Sequence, residues 1–328
     1  MTARVALVGR PGAGKTSLAA ALKATDGHWL QLSMARPLYA AQAALFDRMG
    51  VPHHELGQDG ELLSFLGGHI RQRDPQALTR RVIERADWLQ ALSSERSVVI
   101  SDARPVDLDE LRDAGFTVVL VRAPEELRLA RLQARDDLTE NPDSAGVELK
   151  AQEPTADLYV DTAGSLADLE ASAETLLRDL PAAPYPAQAG AVALKELGRT
   201  LYREASAAIT GVYRPSRHQL GCAMLGDDGE LATGVHVEAE VGRASTCAEN
   251  GALAQTIARG AKPVAMMTVR HPRPEETRDV EIMPPCGLCR ELLCGYGPDA
   301  MVWLPSGQVR LRDLLLHRYI GTKWRNHG

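Results

Sequence analysis

Three cysteines and a glutamate are the most chemically loaded residues of the sequence. They stand in Thr246-Cys247-Ala248-Glu249 and in Pro285-Cys286-Gly287-Leu288-Cys289-Arg290. Cys286 and Cys289 are one helical turn apart, so both sulfurs can meet a single ion. Three thiolates suffice for a catalytic zinc, because the fourth tetrahedral position must stay open for water. Helix N-termini lower thiol pKa values, and zinc acidifies the water it binds toward neutral pH. Glu249, two residues beyond Cys247, can shuttle protons without being a ligand. Arg290 is placed to donate to the sulfurs and offset their negative charge. Two other readings stay open: a structural zinc site with Cys222 or Cys294 as fourth ligand, and a redox Cys-x-x-Cys. The redox pair leaves Cys247-Ala-Glu249 unexplained, and Cys222 and Cys294 read more simply as small core residues.

A second group lies near the start. Gly9-Arg10-Pro11-Gly12-Ala13-Gly14-Lys15-Thr16 matches G-x-x-x-x-G-K-[ST] in full, directly after a short apolar run and before a helical pattern. Gly9, Gly12 and Gly14 let backbone N–H groups curl around a polyphosphate. Lys15 would bridge the β and γ phosphates, and Thr16, followed by Ser17, would hold Mg²⁺. ATP and Mg²⁺ are the cofactors this implies, beside Zn²⁺ for the cysteines. Asp102 ends an apolar run, where a Mg²⁺-facing carboxylate is expected, and Arg104 follows it. Arg128, Arg131 and Arg135 share one helix face; such a stripe either clamps a transferring phosphoryl group or is simply solvated.

Elements of two kinds must position these groups. Before residue 180, strands at 5–8, 98–101, 118–121 and 158–161 alternate with helices at 17–24, 75–92, 125–135 and 166–180. That alternation predicts an α/β domain, a mostly parallel sheet with helices on both faces. Later the order changes: a helix at 193–209, then strands 220–225 and 231–236 flanking the turn Asp227-Asp228-Gly229. A helix from about 246, a strand at 264–269, a helix from about 286 and a strand at 301–304 complete a mixed sheet. Three prolines within 181–186 separate the two patterns. The expected domains are 1–180 and 193–328, joined by a Pro/Ala-rich linker at 181–192.

Composition agrees with two soluble globular parts: 328 residues, 45% hydrophobic and 24% charged. The net charge is −6, and the acidic excess lies wholly in residues 1–180, which argues against a nucleic-acid partner. No apolar run approaches the roughly 18 residues of a membrane span, and the run at 5–8 is too short for a secretory core. A cytoplasmic location without a membrane partner is the expectation. Five cysteines, an odd number, all in the second half, favour metal chemistry over a disulfide framework.

Two resemblances extend this reading. Ala35-Arg36-Pro37-Leu38, the stretch 63–74, Ser101-Asp102-Ala103-Arg104 and the stretch 156–165 make residues 1–180 similar to phage-type deoxynucleoside monophosphate kinases. That likeness implies ATP-dependent phosphoryl transfer to a nucleoside monophosphate, with Arg36, Arg71 and Arg73 holding the acceptor phosphate. Thr162-Ala163 replace an Asn usual in that family. Arg104, Arg128 and Arg131 join the expected substrate contacts.

His218-Gln219-Leu220-Gly221, Gly234-Val235-His236-Val237-Glu238, Cys247-Ala248-Glu249 and the Pro-Cys-Gly-Leu-Cys-Arg run make residues 195–320 similar to the cytidine deaminase family, blasticidin-S deaminase included. The resemblance implies a three-layer α/β/α domain and a homodimer or homotetramer with sites near subunit boundaries. It also implies hydrolytic loss of ammonia from a cytosine ring, Glu249 protonating the ring nitrogen and the departing amine. Glu238 would accept from a sugar hydroxyl, His236 would replace an Asn beside it, His218 would stand where a Phe stacks on the base, and Ala248 would border the substrate. His271 reads as either pocket lining or a loop residue. The expected protein is a zinc-dependent deaminase of a cytosine nucleoside or nucleotide, modified ones included, fused to a kinase-like unit acting on small nucleotides. In the alternative, that unit only senses nucleotide and gates the deaminase.

Overall fold

The structure, a computed structural model, describes residues 2–51, 59–134, 153–182 and 185–319. The chain divides into two compact units, Met1–Tyr185 and Pro186–Gly328.

The first unit is built on β1 (Arg4–Val8), β2 (Trp29–Leu32), β3 (Ser97–Ile100), β4 (Thr117–Arg122) and β5 (Leu158–Asp161). All neighbours pair in parallel, in the order β2-β3-β1-β4-β5. Strands β1 and β3 are buried along their whole length, which is why they read as unbroken apolar runs rather than alternating ones. Val5, Leu7, Val99, Val119 and Val121 face a core closed by α1 (Lys15–Asp26) and α7 (Leu166–Asp179). The opposite face is covered by α4 (Ala77–Leu92) and α5 (Leu108–Asp113). Helices α2 (Arg36–Met49), α3 (Gly60–Arg73) and α6 (Glu125–Gln133) lie in the crossovers. The expected parallel sheet with helices on both faces is present. Strand β2 and helices α2, α3 and α5 were not foreseen; β2 is four residues long and interrupted by Gln31, so it carries little periodic signal.

The second unit opens with α8 (Ala187–Thr210), then β6 (Leu220–Gly226), β7 (Leu231–Val235), α9 (Ala248–Ala258), β8 (Pro263–Arg270), β9 (Glu281–Met283), α10 (Gly287–Cys294), β10 (Met301–Leu304) and β11 (Gly307–Arg310). The sheet order is β11-β10-β8-β6-β7, with β9 on the far half of β8. Only β8 and β10 run parallel. Helix α8 covers one face, so close that a Cβ on Gly221 would lie 2.3 Å from the Ala205 carbonyl oxygen. Helices α9 and α10 cover the other, sharing a core of Cys222, Met224, Ala252, Met266, Leu293 and Val302. This is the expected three-layer mixed-sheet unit. Helix α8 starts at Ala187 rather than the expected 193, because Pro186 serves as its N-cap and the following residues suit a helix.

One glycine fixes where the site can form. A Cβ on Gly234 would stand 2.1 Å from the Ala248 carbonyl oxygen and 2.6 Å from the Ala252 nitrogen, both in the α9 backbone. Gly234→Ala must therefore push away the helix that carries Glu249. The expected result is a loss of about 3 kcal/mol, read as a lowered Tm of the purified protein together with weaker metal retention.

Candidate metal centre and phosphate loop

Cys247 is the N-cap of α9 and Cys286 the N-cap of α10, while Cys289 lies one turn inside α10. The sheet lays the two helix starts side by side. The three sulfurs all lie within 4.8 Å of one another, and Cys247 Sγ is 3.8 Å from Cys286 Sγ. Sulfurs at two corners of a tetrahedron with bonds of about 2.3 Å are ~3.8 Å apart, so the donor set fits a zinc ion. Burial raises the thiols of Cys247 and Cys289. Burial opposes ionisation of Cys286 as well, but the Cys289 backbone N–H and neighbouring thiols outweigh it and leave that thiol below its ordinary value. A cation at this point would pull all three toward thiolate. Among the described residues, neither Cys222 nor Cys294 joins the group; both are buried core residues. Three sulfurs around one point also weigh against a redox pair.

Glu249, in the first turn of α9, is 2% exposed, and its Oε2 has no hydrogen-bond partner among the described residues. An unpaired carboxyl oxygen in the interior is costly and marks a group kept for chemistry. Ala248 is fully buried beside it. Glu238 Oε1 accepts from Ser245 Oγ at 2.6 Å, and its Oε2 is 3.3 Å from His236 Nε2. His218 Nδ1 lies 2.9 Å from the His236 carbonyl oxygen. So 218, 236 and 238 form one cluster. Ser245, unnoticed in the sequence, anchors it: its hydroxyl also accepts from the Ala239 N–H, and Val237 bridges Thr246. His271 stacks on Tyr213 with ring centres 3.9 Å apart. Arg290 needs correcting. Its Nε and Nη1 donate to the carbonyls of Pro285 and Leu314, so it braces the entry to α10 rather than the sulfurs.

In the first unit, Gly9, Gly12 and Gly14 take φ values of 155°, 78° and 92°, conformations only glycine adopts without strain. A Cβ on Gly9 would also sit 2.3 Å from the Val121 carbonyl oxygen. Gly14 caps α1, and the exposed Thr16 and Ser17 follow Lys15 in its first turn. Side chains hold five successive carbonyls of the loop. Lys15 Nζ donates to those of Gly9 and Arg10 at 2.5 and 3.1 Å, and Arg128 Nη1 to Pro11 at 3.0 Å. Arg131 Nη1 reaches Gly12 at 3.4 Å, and Thr162 Oγ1 reaches Ala13 at 2.6 Å.

This corrects the expected arginine stripe. Arg128, 1% exposed, and Arg131, also bound to Thr162, shape the loop from behind; Arg135 lies outside the described residues. Asp102 lies two residues beyond the end of β3, and its carboxylate accepts from Ser33 Oγ and the N–H groups of Met34 and Ala35. It anchors the approach to α2, where Arg36 is the first residue, so its bonds go to the chain after β2 rather than to the loop at 9–16. Arg71 is likewise a correction. It grips both carboxylate oxygens of Asp107 at 2.7 and 3.2 Å, and Asp107 is 1% exposed. Arg73 stands exposed at the end of α3, and the Arg104 N–H donates to Asp107. Arg71→Ala leaves a buried carboxylate without its cationic partner, and the expected loss is about 3 kcal/mol of stability, measured by denaturant unfolding. An arginine reserved for a ligand would show no such loss.

The family model described as the cytidine and deoxycytidylate deaminase zinc-binding region matches residues 195–304. A blasticidin-S deaminase from Bacillus cereus is 38% identical over 104 residues, 31% of this chain and 74% of that protein. The chain belongs to the cytidine deaminase family. A cytidine deaminase from Halalkalibacterium halodurans is 33% identical over 116 residues, 35% of this chain and 83% of its own length. The crystal structure of cytidine deaminase from Mycobacterium leprae is 32% identical, covering 37% of this chain and 98% of that one with a TM-score of 0.33. Cys247, Glu249, Cys286 and Cys289 all fall within the matched region of this cytidine deaminase family member.

Proposed function

We propose that the second unit, residues 193–328, is a zinc-dependent deaminase of a cytosine nucleoside or nucleotide. The first, residues 1–180, is proposed to bind ATP and Mg²⁺ and to phosphorylate a nucleoside monophosphate. The observation that carries the first proposal is the convergence of Cys247, Cys286 and Cys289 beside a buried carboxyl with an unpaired oxygen. Those three cysteines would hold zinc, which supplies a Lewis acid that acidifies water. Glu249 Oε2 takes a proton and returns it to the ring nitrogen, and a second transfer through the same atom lets the amine leave as ammonia. Water supplies the oxygen that replaces the amine. Burial of Ala248 and Cys222 keeps bulk solvent from Glu249. Glu238, held by Ser245 and His236, accepts from a sugar hydroxyl, and His218 borders the base. The two relatives, one named for blasticidin S and one for cytidine, bracket the substrate class.

In the first unit, Gly9, Gly12, Gly14, Lys15, Thr16 and Ser17 are assigned to the polyphosphate and its Mg²⁺. Arg36, the first residue of α2, and Arg104, four residues beyond β3, are assigned to the acceptor. A sensor reading gains support from one observation: Asp102 and Arg71, both wanted for transfer, are engaged with neighbouring residues. No helix among the described residues is long and apolar enough to cross a membrane, in keeping with a cytoplasmic location. Leu288 and Leu292, one turn apart on α10, and Tyr296 beyond it are exposed, which supports a homo-oligomer formed through the deaminase unit. One experiment tests both activities. The zinc-loaded protein is incubated with cytosine nucleosides and their monophosphates, with and without ATP and Mg²⁺, and ammonia and ADP are followed separately. Ammonia from no substrate refutes the deaminase; tight ATP binding with no acceptor-dependent ADP replaces the kinase by the sensor.

A further inference from the structure

Strand β8 divides one of its edges between two partners. Strand β10 takes the first part, at Ala265 and Met266, and β9 the last, at residues 268–270. Met267 falls between the two registers and belongs to neither. It projects toward α8, as Val269 does, because Val269 lies opposite Gly221, the residue that abuts that helix. The same registers put Ile282 of β9 and Trp303 of β10 on this face. The split in the sheet leaves a cavity of about 560 Å³ between these side chains and α8, a volume usual for small-molecule sites.

The polar groups around this cavity have one character. Helix α8 contributes Leu194, Lys195, Gly198 and Arg199 from one stripe, and β11 contributes Gln308, opposite Trp303. No Asp or Glu is among the described residues that line it. Arg199 meets Glu196 in an exposed pair, of a kind that exchanges readily. Lys195 is exposed at the rim and has no hydrogen-bond or ion-pair partner among the described residues. Trp303 is 7% exposed, and its indole N–H likewise has no partner among them. A buried indole N–H can only donate and usually finds an acceptor. This one is let in by Gly198, where a Cβ would stand 2.7 Å from Nε1. Tyr202, also at the cavity, donates to the Val280 carbonyl at 2.8 Å and so ties the chain before β9 to α8. An apolar floor, a free ammonium and an unsatisfied donor together ask for an acceptor-bearing ligand of negative charge.

We propose that this cavity binds a small amphipathic anion. Its apolar body rests on Leu194, Met267 and Ile282, its anionic head pairs with Lys195, and the Trp303 N–H donates to an acceptor on it. The inference stands apart from the deaminase reading, because the cavity lies on the α8 face of the sheet and the cysteine cluster packs on the other.

The test uses the full chain, zinc-loaded, with ATP and Mg²⁺ present to occupy the phosphate loop. Two fluorescent probes are titrated: anilinonaphthalenesulfonate, an aromatic anion, and phenylnaphthylamine, the same rings without the sulfonate. The wild type is expected to bind the sulfonate saturably and the uncharged amine about tenfold more weakly. Lys195→Gln should weaken the sulfonate about tenfold and leave the amine unchanged. That variant alters only an exposed side chain, so a loss there is not unfolding. Trp303→Phe, which removes the N–H and keeps an aromatic floor, should weaken the sulfonate about fivefold. Sulfonate binding that Lys195→Gln leaves intact, or that the amine equals, overturns the proposal. So does a wild type that binds neither probe, and sedimentation of that sample then shows whether a second copy of the chain covers the cavity instead.

Discussion

Glu249→Gln is expected to lower kcat for cytosine-nucleoside deamination by about a thousandfold, within the usual contribution of a positioned acid–base group. The amide has the shape of the carboxyl, so the fold and the three-cysteine site remain, yet it can neither take nor deliver a proton. Oε2 of Glu249 is buried and unpaired among the described residues, on a side chain 2% exposed. Buried oxygens of purely structural carboxylates are satisfied, as Asp107 is by Arg71, Thr79 and the Arg104 N–H. Ammonia release at saturating substrate, with zinc content and Tm measured alongside, checks the expectation. A variant that keeps a tenth or more of the wild-type kcat would remove Glu249 from the chemistry.

The second large effect concerns the sulfurs. Cys289→Ser is expected to abolish both bound zinc and deamination, because Cys289 is the buried member of the cluster and the inner one on α10. If zinc is held at a thousand times its dissociation constant, its loss removes about 4 kcal/mol of apparent stability, a fall in Tm of roughly 10 °C for a unit of this size. Burial holds the Cys247 and Cys289 thiols in their protonated form in the absence of a cation, so binding must displace protons. Zinc therefore competes with protons, and a chelator should strip it more readily at about pH 6 than at about pH 8. Metal analysis of the variant, and chelator titration of the wild type at the two pH values, measure this. Full zinc occupancy in Cys289→Ser would show that the ion sits elsewhere.

Much of this was legible in the sequence where the signal is local. The phosphate loop, β1 and the paired cysteine motifs each lie within a dozen residues, and capping geometry follows from them. The turn at Asp227-Asp228-Gly229 and strands β5 and β10 fell where alternation and turn chemistry put them. The charged residues were less legible, since an arginine's role is decided by a partner far along the chain. Arg71 meets Asp107 36 positions later, and Arg131 meets Thr162 31 positions later. Spacing on one helix face showed that Arg128 and Arg131 point the same way, not that loop carbonyls await them.

The pinned carbonyls of the phosphate loop have a wider consequence. Their anchors come from α1, α6 and the residue after β5, so the loop's curve is held by the fold itself, and the polyphosphate proposed for it would not have to freeze a floppy segment. Its shape is thus shared property of remote parts of the first unit. A change at Thr162, nearly 150 residues from Ala13, would slacken the loop's backbone as surely as one among the glycines.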